Sequence, residues 1–103
     1  MFQIKHDPTF KTKVQISIAG SGESPEIEVE YRYLTRSESD EFHKNIKGKK
    51  DVDSLGEIIV NWSGPDLPYS AEALGTLLDL FPAAAGDLYQ AFRRELLESK
   101  TKN

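Results

Sequence analysis

The first third of the chain alternates with a period of two. From Thr9 to Ile18, Phe10, Val14, Ile16 and Ile18 share one parity, while Lys11, Lys13, Gln15 and Ser17 occupy the other. Successive side chains of a strand point to opposite faces, so this spacing predicts a strand with one wet face. Glu26 to Tyr33 repeats the pattern, with Ile27, Val29, Tyr31 and Tyr33 on one side and Glu26, Glu28, Glu30 and Arg32 on the other. The segment between them, Ala19 to Pro25, is rich in turn formers and too short for a crossover helix, so the two strands are expected to form an antiparallel hairpin. Their wet faces would set Lys11 and Lys13 against Glu28 and Glu30, each good pair contributing roughly 0.2–1 kcal/mol. Phe2 and Ile4 also alternate and allow a short third strand before Asp7-Pro8.

From residue 35 the spacing becomes helical. Thr35 or Ser37 can cap a first helix whose opening turn carries Glu38, Asp40 and Glu41, where negative charge suits the dipole. Phe42 and Ile46 share its apolar face, and Gly48 stops it. A second helix is expected from Asp51 to Trp62, with Val52, Leu55, Ile58, Ile59 and Trp62 three and four apart, ending at Ser63-Gly64-Pro65-Asp66. Ser70 caps a third, with Leu74, Leu77, Leu78 and Phe81 as its apolar face. Pro82 ends that helix and suits the start of a fourth, striped by Ala85, Leu88, Tyr89, Phe92 and Leu96. The expected class is α+β: an N-terminal antiparallel β-hairpin followed by three or four short helices. One domain is expected over residues 1–98, with a frayed tail at 99–103.

Composition narrows the function mainly by exclusion. The chain has 103 residues, 17 acidic and 13 basic, with no cysteine. The cysteine count removes a disulfide scaffold, a thiolate metal site and a cysteine nucleophile. The net charge of −4 disfavours nucleic acid as the main partner, because phosphate binding depends on clustered cations. The N-terminus lacks a signal-peptide pattern and no apolar run could span a membrane, so an intracellular protein without a membrane partner is expected.

Candidate chemistry is sparse. His6 and His43 stand 37 positions apart without a ligand at metal-binding spacing, and His43 reads as a solvated helix residue. Neither a phosphate-binding glycine loop nor a nucleophile elbow is present. The carboxylates Glu26, Glu28 and Glu30 follow the alternation of a solvent-facing strand, which does not separate their pKa values as acid–base work requires. The basic run His43-Lys44, Lys47 and Lys49-Lys50 contains no arginine and coincides with a helix end, where the dipole favours cations. No cofactor, metal or catalytic residue is expected.

A more distinctive pattern lies in Trp62-Ser63-Gly64-Pro65-Asp66, Leu67-Pro68-Tyr69-Ser70, Leu74, Leu77-Leu78 and Pro82. Together with the joint Tyr33-Leu34-Thr35-Arg36-Ser37-Glu38 and the segment Asp51 to Trp62, it resembles the small tail assembly chaperones of long-tailed bacteriophages, over roughly residues 9–97. The resemblance implies a non-enzymatic protein of the host cytoplasm that binds and solubilises the tape measure protein, helps recruit tail tube subunits and is absent from the mature virion. Competing readings are a structural tail completion or connector protein, and a small regulatory protein that binds a host factor.

For a protein-binding role the residues of interest are Trp62, Asp66, Leu67 and Tyr69. Trp62 suits either core packing or a binding anchor, since tryptophan is enriched in hot spots. Leu67 and Tyr69 are the apolar residues expected at the surface. The second helix, apolar over a wide arc through Ile58-Ile59-Val60, could offer a groove to an amphipathic client helix, although a central core helix explains it more simply. Asp51, Asp53, Asp66, Asp79 and Asp87 form a solvated acidic rim that could meet a basic client. An unpaired hairpin edge would permit a homo-oligomer or the addition of a client strand.

Overall fold

The structure is a computed structural model that describes residues 1–98. The tail expected to fray, 99–103, lies outside the described residues. The element order is β1 (Thr9–Gln15), β2 (Glu26–Arg32), α1 (Arg36–Asn45), α2 (Asp51–Ile58), β3 (Ile59–Ser63), α3 (Ala71–Leu80) and α4 (Ala84–Leu97). The α+β class follows from the sheet and the helices packed on it. β1, β2 and β3 form an antiparallel sheet in that order.

The hairpin has the expected register. Lys11 lies opposite Glu30 and Lys13 opposite Glu28, with Val14 beside Ile27 and Phe10 beside Tyr31 on the other face. The side-chain ion pair itself is diagonal, Lys13 Nζ lying 4.0 Å from a Glu26 carboxylate oxygen. Both partners are largely exposed, so the pair adds little to stability.

The sheet's third strand is not the one the N-terminus suggested. Phe2 and Ile4 are 86% and 94% exposed and belong to no strand. The third strand comes from the second half of the expected Asp51–Trp62 helix, which stops at Ile58. Apolar residues at 58, 59 and 62 satisfy helical spacing, but Ile59-Val60 are β-branched and β2 has a second edge whose N–H and C=O groups need partners. Pairing β3 with β2 meets that need and buries both Ile58, from the helix, and Ile59, from the strand, at 1% and 3% exposure. The wide apolar arc is thus divided between two elements. A bulge completes the change: Tyr31 pairs with Ile59 and Glu30 with Asn61, leaving Val60 as the extra residue.

Helices cover one face of the sheet, where Val29, Tyr31, Leu55, Leu74, Leu88 and Phe92 are fully buried. Burying each such side chain is worth about 1.5–3 kcal/mol before conformational entropy is counted. Phe92 sits at the centre of an aromatic cluster, its ring centroid 5.3 Å from Tyr31 and 6.0 Å from both Phe10 and Phe42. The Tyr31 hydroxyl donates to the Leu88 carbonyl of α4 at 2.8 Å, and burial pushes its pKa well above the usual tyrosine range. That bond lets a polar tip sit inside the core without an unmet donor.

Helix starts follow the sequence closely. Thr35 accepts from the Glu38 N–H while Glu38 accepts from the Thr35 N–H, a complete capping box. Ser70 accepts from the Ala73 N–H at 3.0 Å. His43, however, is not a solvated helix residue. It is half-buried, its Nδ1 lies 2.7 Å from the Ser39 carbonyl, and its Nε2 is buried with no partner among the described residues. The ring folds back along its own helix, toward the carbonyl of buried Ser39, and meets the buried Phe42 ring edge-on at 5.3 Å.

Candidate functional site

The residues singled out in the sequence meet at the exit of β3. Trp62 pairs with Val29 of β2, placing its side chain against the core at 7% exposure. The chain then reverses at Gly64, whose φ of +119° lies where only glycine is at ease. A Cβ there would also stand 3.2 Å from Ile27 Cγ2. Gly64→Ala is therefore expected to cost about 1–3 kcal/mol, read as a lower urea midpoint with an unchanged m-value.

Beyond the turn, the indole N–H of Trp62 donates to the Leu67 carbonyl at 2.8 Å, and the Tyr69 ring meets the indole edge-on at 5.1 Å. Partial burial against this face raises the pKa of the Tyr69 hydroxyl. Ser70 then caps α3, so the loop is held at both ends. Its backbone is tied down while the Leu67 side chain projects outward, 47% exposed, next to exposed Asp66. The four residues thus fall into different positions: Trp62 and Tyr69 hold the loop, and Leu67 and Asp66 present its surface. An apolar side chain on a preordered loop loses little entropy on binding.

Some exposed apolar residues escaped the sequence reading. Leu80 is 64% exposed at the end of α3 and Leu97 43%, while Val60, already noted in the apolar arc, is 37% exposed. On α3 only Ala73 and Leu74 are fully buried, while Leu77 and Leu78 are half-buried. The helix carries leucine on more faces than the fold covers, a signal present in Leu74, Leu77, Leu78 and Leu80.

The acidic rim is incomplete. Asp51, Asp53, Asp66 and Asp79 are exposed, but Asp87 accepts from the Ser17 N–H at 2.7 Å and from its hydroxyl at 3.2 Å. Asp87 therefore fastens α4 to the chain beyond β1. The basic run is also divided, since Lys49 is bound to Glu57 at 2.7 Å and His43 turns inward. His6 stacks on Tyr33 with centroids 4.3 Å apart. Glu26 and Glu28 stand exposed on the open face of the sheet, and among the described residues no group of three or more His, Asp or Glu could hold a metal ion. No helix among them is long and apolar enough to cross a membrane.

These features define a small α+β protein with helices on one face of a three-stranded antiparallel sheet and its most distinctive surface apolar rather than chemically reactive. A family model described as phage tail assembly chaperone matches residues 1–103, and the chain belongs to that family. Comparison with curated proteins and with solved structures gives no match.

Proposed function

We propose that this chain is a non-enzymatic chaperone of the host cytoplasm that binds the tape measure protein of a long-tailed phage. It keeps that protein soluble while tail tube subunits are recruited, and it leaves before the virion is complete. The observation that carries the reading is the match of the tail assembly chaperone family over the whole chain. The surface at work is the Asp66–Tyr69 loop together with the uncovered leucines of α3. A preordered exposed leucine beside an acidic residue suits the apolar stripe and flanking basic residues of an amphipathic client helix.

The test is co-expression with the long, helix-rich protein encoded nearest the gene, followed by affinity capture from the soluble fraction. The long protein should become soluble and co-purify. Leu67→Asp should leave folding within about 0.5 kcal/mol of the parent, because Leu67 contributes its carbonyl rather than its side chain to the Trp62 bond. The same change should weaken capture at least about tenfold. A client that stays insoluble beside a normally folded chaperone would overturn the reading, as would recovery of this chain in purified virions.

A further inference from the structure

We propose that the outer edge of β1 is a docking edge for an extended segment of another protein that carries carboxylates at every second position. The inference concerns a strand partner and stands apart from the loop proposed for the helical client.

The ladder determines which groups face outward. Tyr33 N–H donates to the Pro8 carbonyl and Ile16 N–H to the Pro25 carbonyl, both at 2.9 Å. Even-numbered residues of β1 therefore exchange hydrogen bonds with β2. In an antiparallel strand the bonding direction alternates, so the N–H and C=O groups of Thr9, Lys11, Lys13 and Gln15 point away from the sheet. β1 is an end strand of the sheet, so no strand among the described residues meets them.

The surrounding chain confines the opening to this stretch. Ser17 continues the same outward parity, but its N–H is taken by Asp87 of α4 at 2.7 Å. At the other end the next residue of outward parity is Asp7, whose carbonyl is engaged by His6 Nδ1 at 2.6 Å. The opposite edge of the sheet is blunted too, because the Asn61 side chain accepts from the Trp62 N–H at 2.9 Å. Of the two edges, β1 alone keeps an uncapped run among the described residues. A cleft lies beside it, lined by Lys13, Gln15, Glu26, Asp87, Gln90 and Arg94; Glu26 is already paired with Lys13 and Asp87 with Ser17.

Charge selects the occupant. On the open face of the sheet β2 presents the row Glu26, Glu28 and Glu30, and β1 presents Lys11 and Lys13. A third row of carboxylates would continue the alternation, each good cross-strand pair being favourable and each like pair unfavourable. Arg94 adds a cation on the α4 side of the cleft. A second copy of this chain is the wrong occupant. Antiparallel pairing of two β1 edges matches odd residues with odd residues, so Lys11 meets Lys11 or Lys13, or Lys13 meets Lys13, in every central register.

The test uses two synthetic seven-residue peptides, one alternating threonine with glutamate and one alternating threonine with lysine, added to the full-length protein. Amide hydrogen exchange and amide chemical shifts are followed residue by residue. The glutamate peptide should slow exchange at Thr9, Lys11, Lys13 and Gln15 while leaving their even-numbered neighbours unchanged, and should bind at least about tenfold more tightly than the lysine peptide. Lys11→Pro removes one outward N–H at an edge position that tolerates proline, and should abolish the effect. Should that variant unfold, Lys11→Gln combined with Lys13→Gln keeps the backbone and should erase the preference between the peptides. Equal binding of both peptides, protection elsewhere such as the Gly64–Ser70 loop, or a dimer of the protein that protects the same four amides would overturn the proposal.

Discussion

Trp62→Ala should lower the stability of the protein by about 3–5 kcal/mol, the range for removing a large buried aromatic side chain. Three losses combine. The side chain is 7% exposed and packs beside Val29, so its removal opens a cavity. The bond from the indole to the Leu67 carbonyl disappears, and Tyr69 loses the ring it meets edge-on. Far-UV circular dichroism in urea is the suitable measurement, because Trp62 is the sole tryptophan and its fluorescence vanishes with it. A midpoint within experimental error of the parent would show that the indole does not hold the loop. Loss of client capture in this variant would not identify a binding residue, since the loop carrying Leu67 loosens with it. Leu67→Asp is the sharper probe because its side chain lies outside the core.

Phe92→Ala should have an effect of the same order, about 3–5 kcal/mol, for a different reason. Phe92 is wholly buried on α4 and touches aromatic rings from β1, β2 and α1. It is the side chain through which the hairpin, the first helix and the last helix share one core. Small domains have about 5–15 kcal/mol of net stability, so a loss of this size removes a large part of the total. In a calorimeter the midpoint should fall by at least about 12 °C, taking the lower cost and about 4 °C per kcal/mol for a domain near this size. A drop of only a few degrees would mean that the core repacks around the gap.

The two substitutions also separate what was legible in the chain from what was not. Phe92 stood on a helical stripe with Leu88 and Leu96, and its burial follows from that periodicity. Trp62 was legible as a large residue before a Gly-Pro turn, but its element was not. Helical spacing through Val52, Leu55, Ile58, Ile59 and Trp62 fits one long helix as well as a helix followed by a strand. Local preference could not decide between them, because the deciding quantity was the row of unpaired groups on β2, nearly thirty residues earlier. The candidate site was legible in the same partial way. Leu67 and Tyr69, on either side of Pro68, read as surface residues. Leu67 is exposed, but Tyr69 is half-buried against Trp62. The division that leaves Trp62 inward and Leu67 outward required the hydrogen bond between them.

By itself the sequence determined what depends on neighbours a few residues apart: the two alternating strands and their lysine–glutamate register, the Thr35–Glu38 capping box, the Ser70 cap and the breaks at Gly48 and Pro82. These are short-range effects of backbone geometry, side-chain alternation and local hydrogen bonding. Tertiary structure alone decided the conversion of residues 59–63 into β3, the Asp87 carboxylate that closes the end of the β1 edge, and the apolar surface left uncovered on α3. Each depends on groups brought together from distant parts of the chain. A buried donor or an open strand edge must find a partner wherever the fold supplies one, and nothing in the local pattern says where that will be.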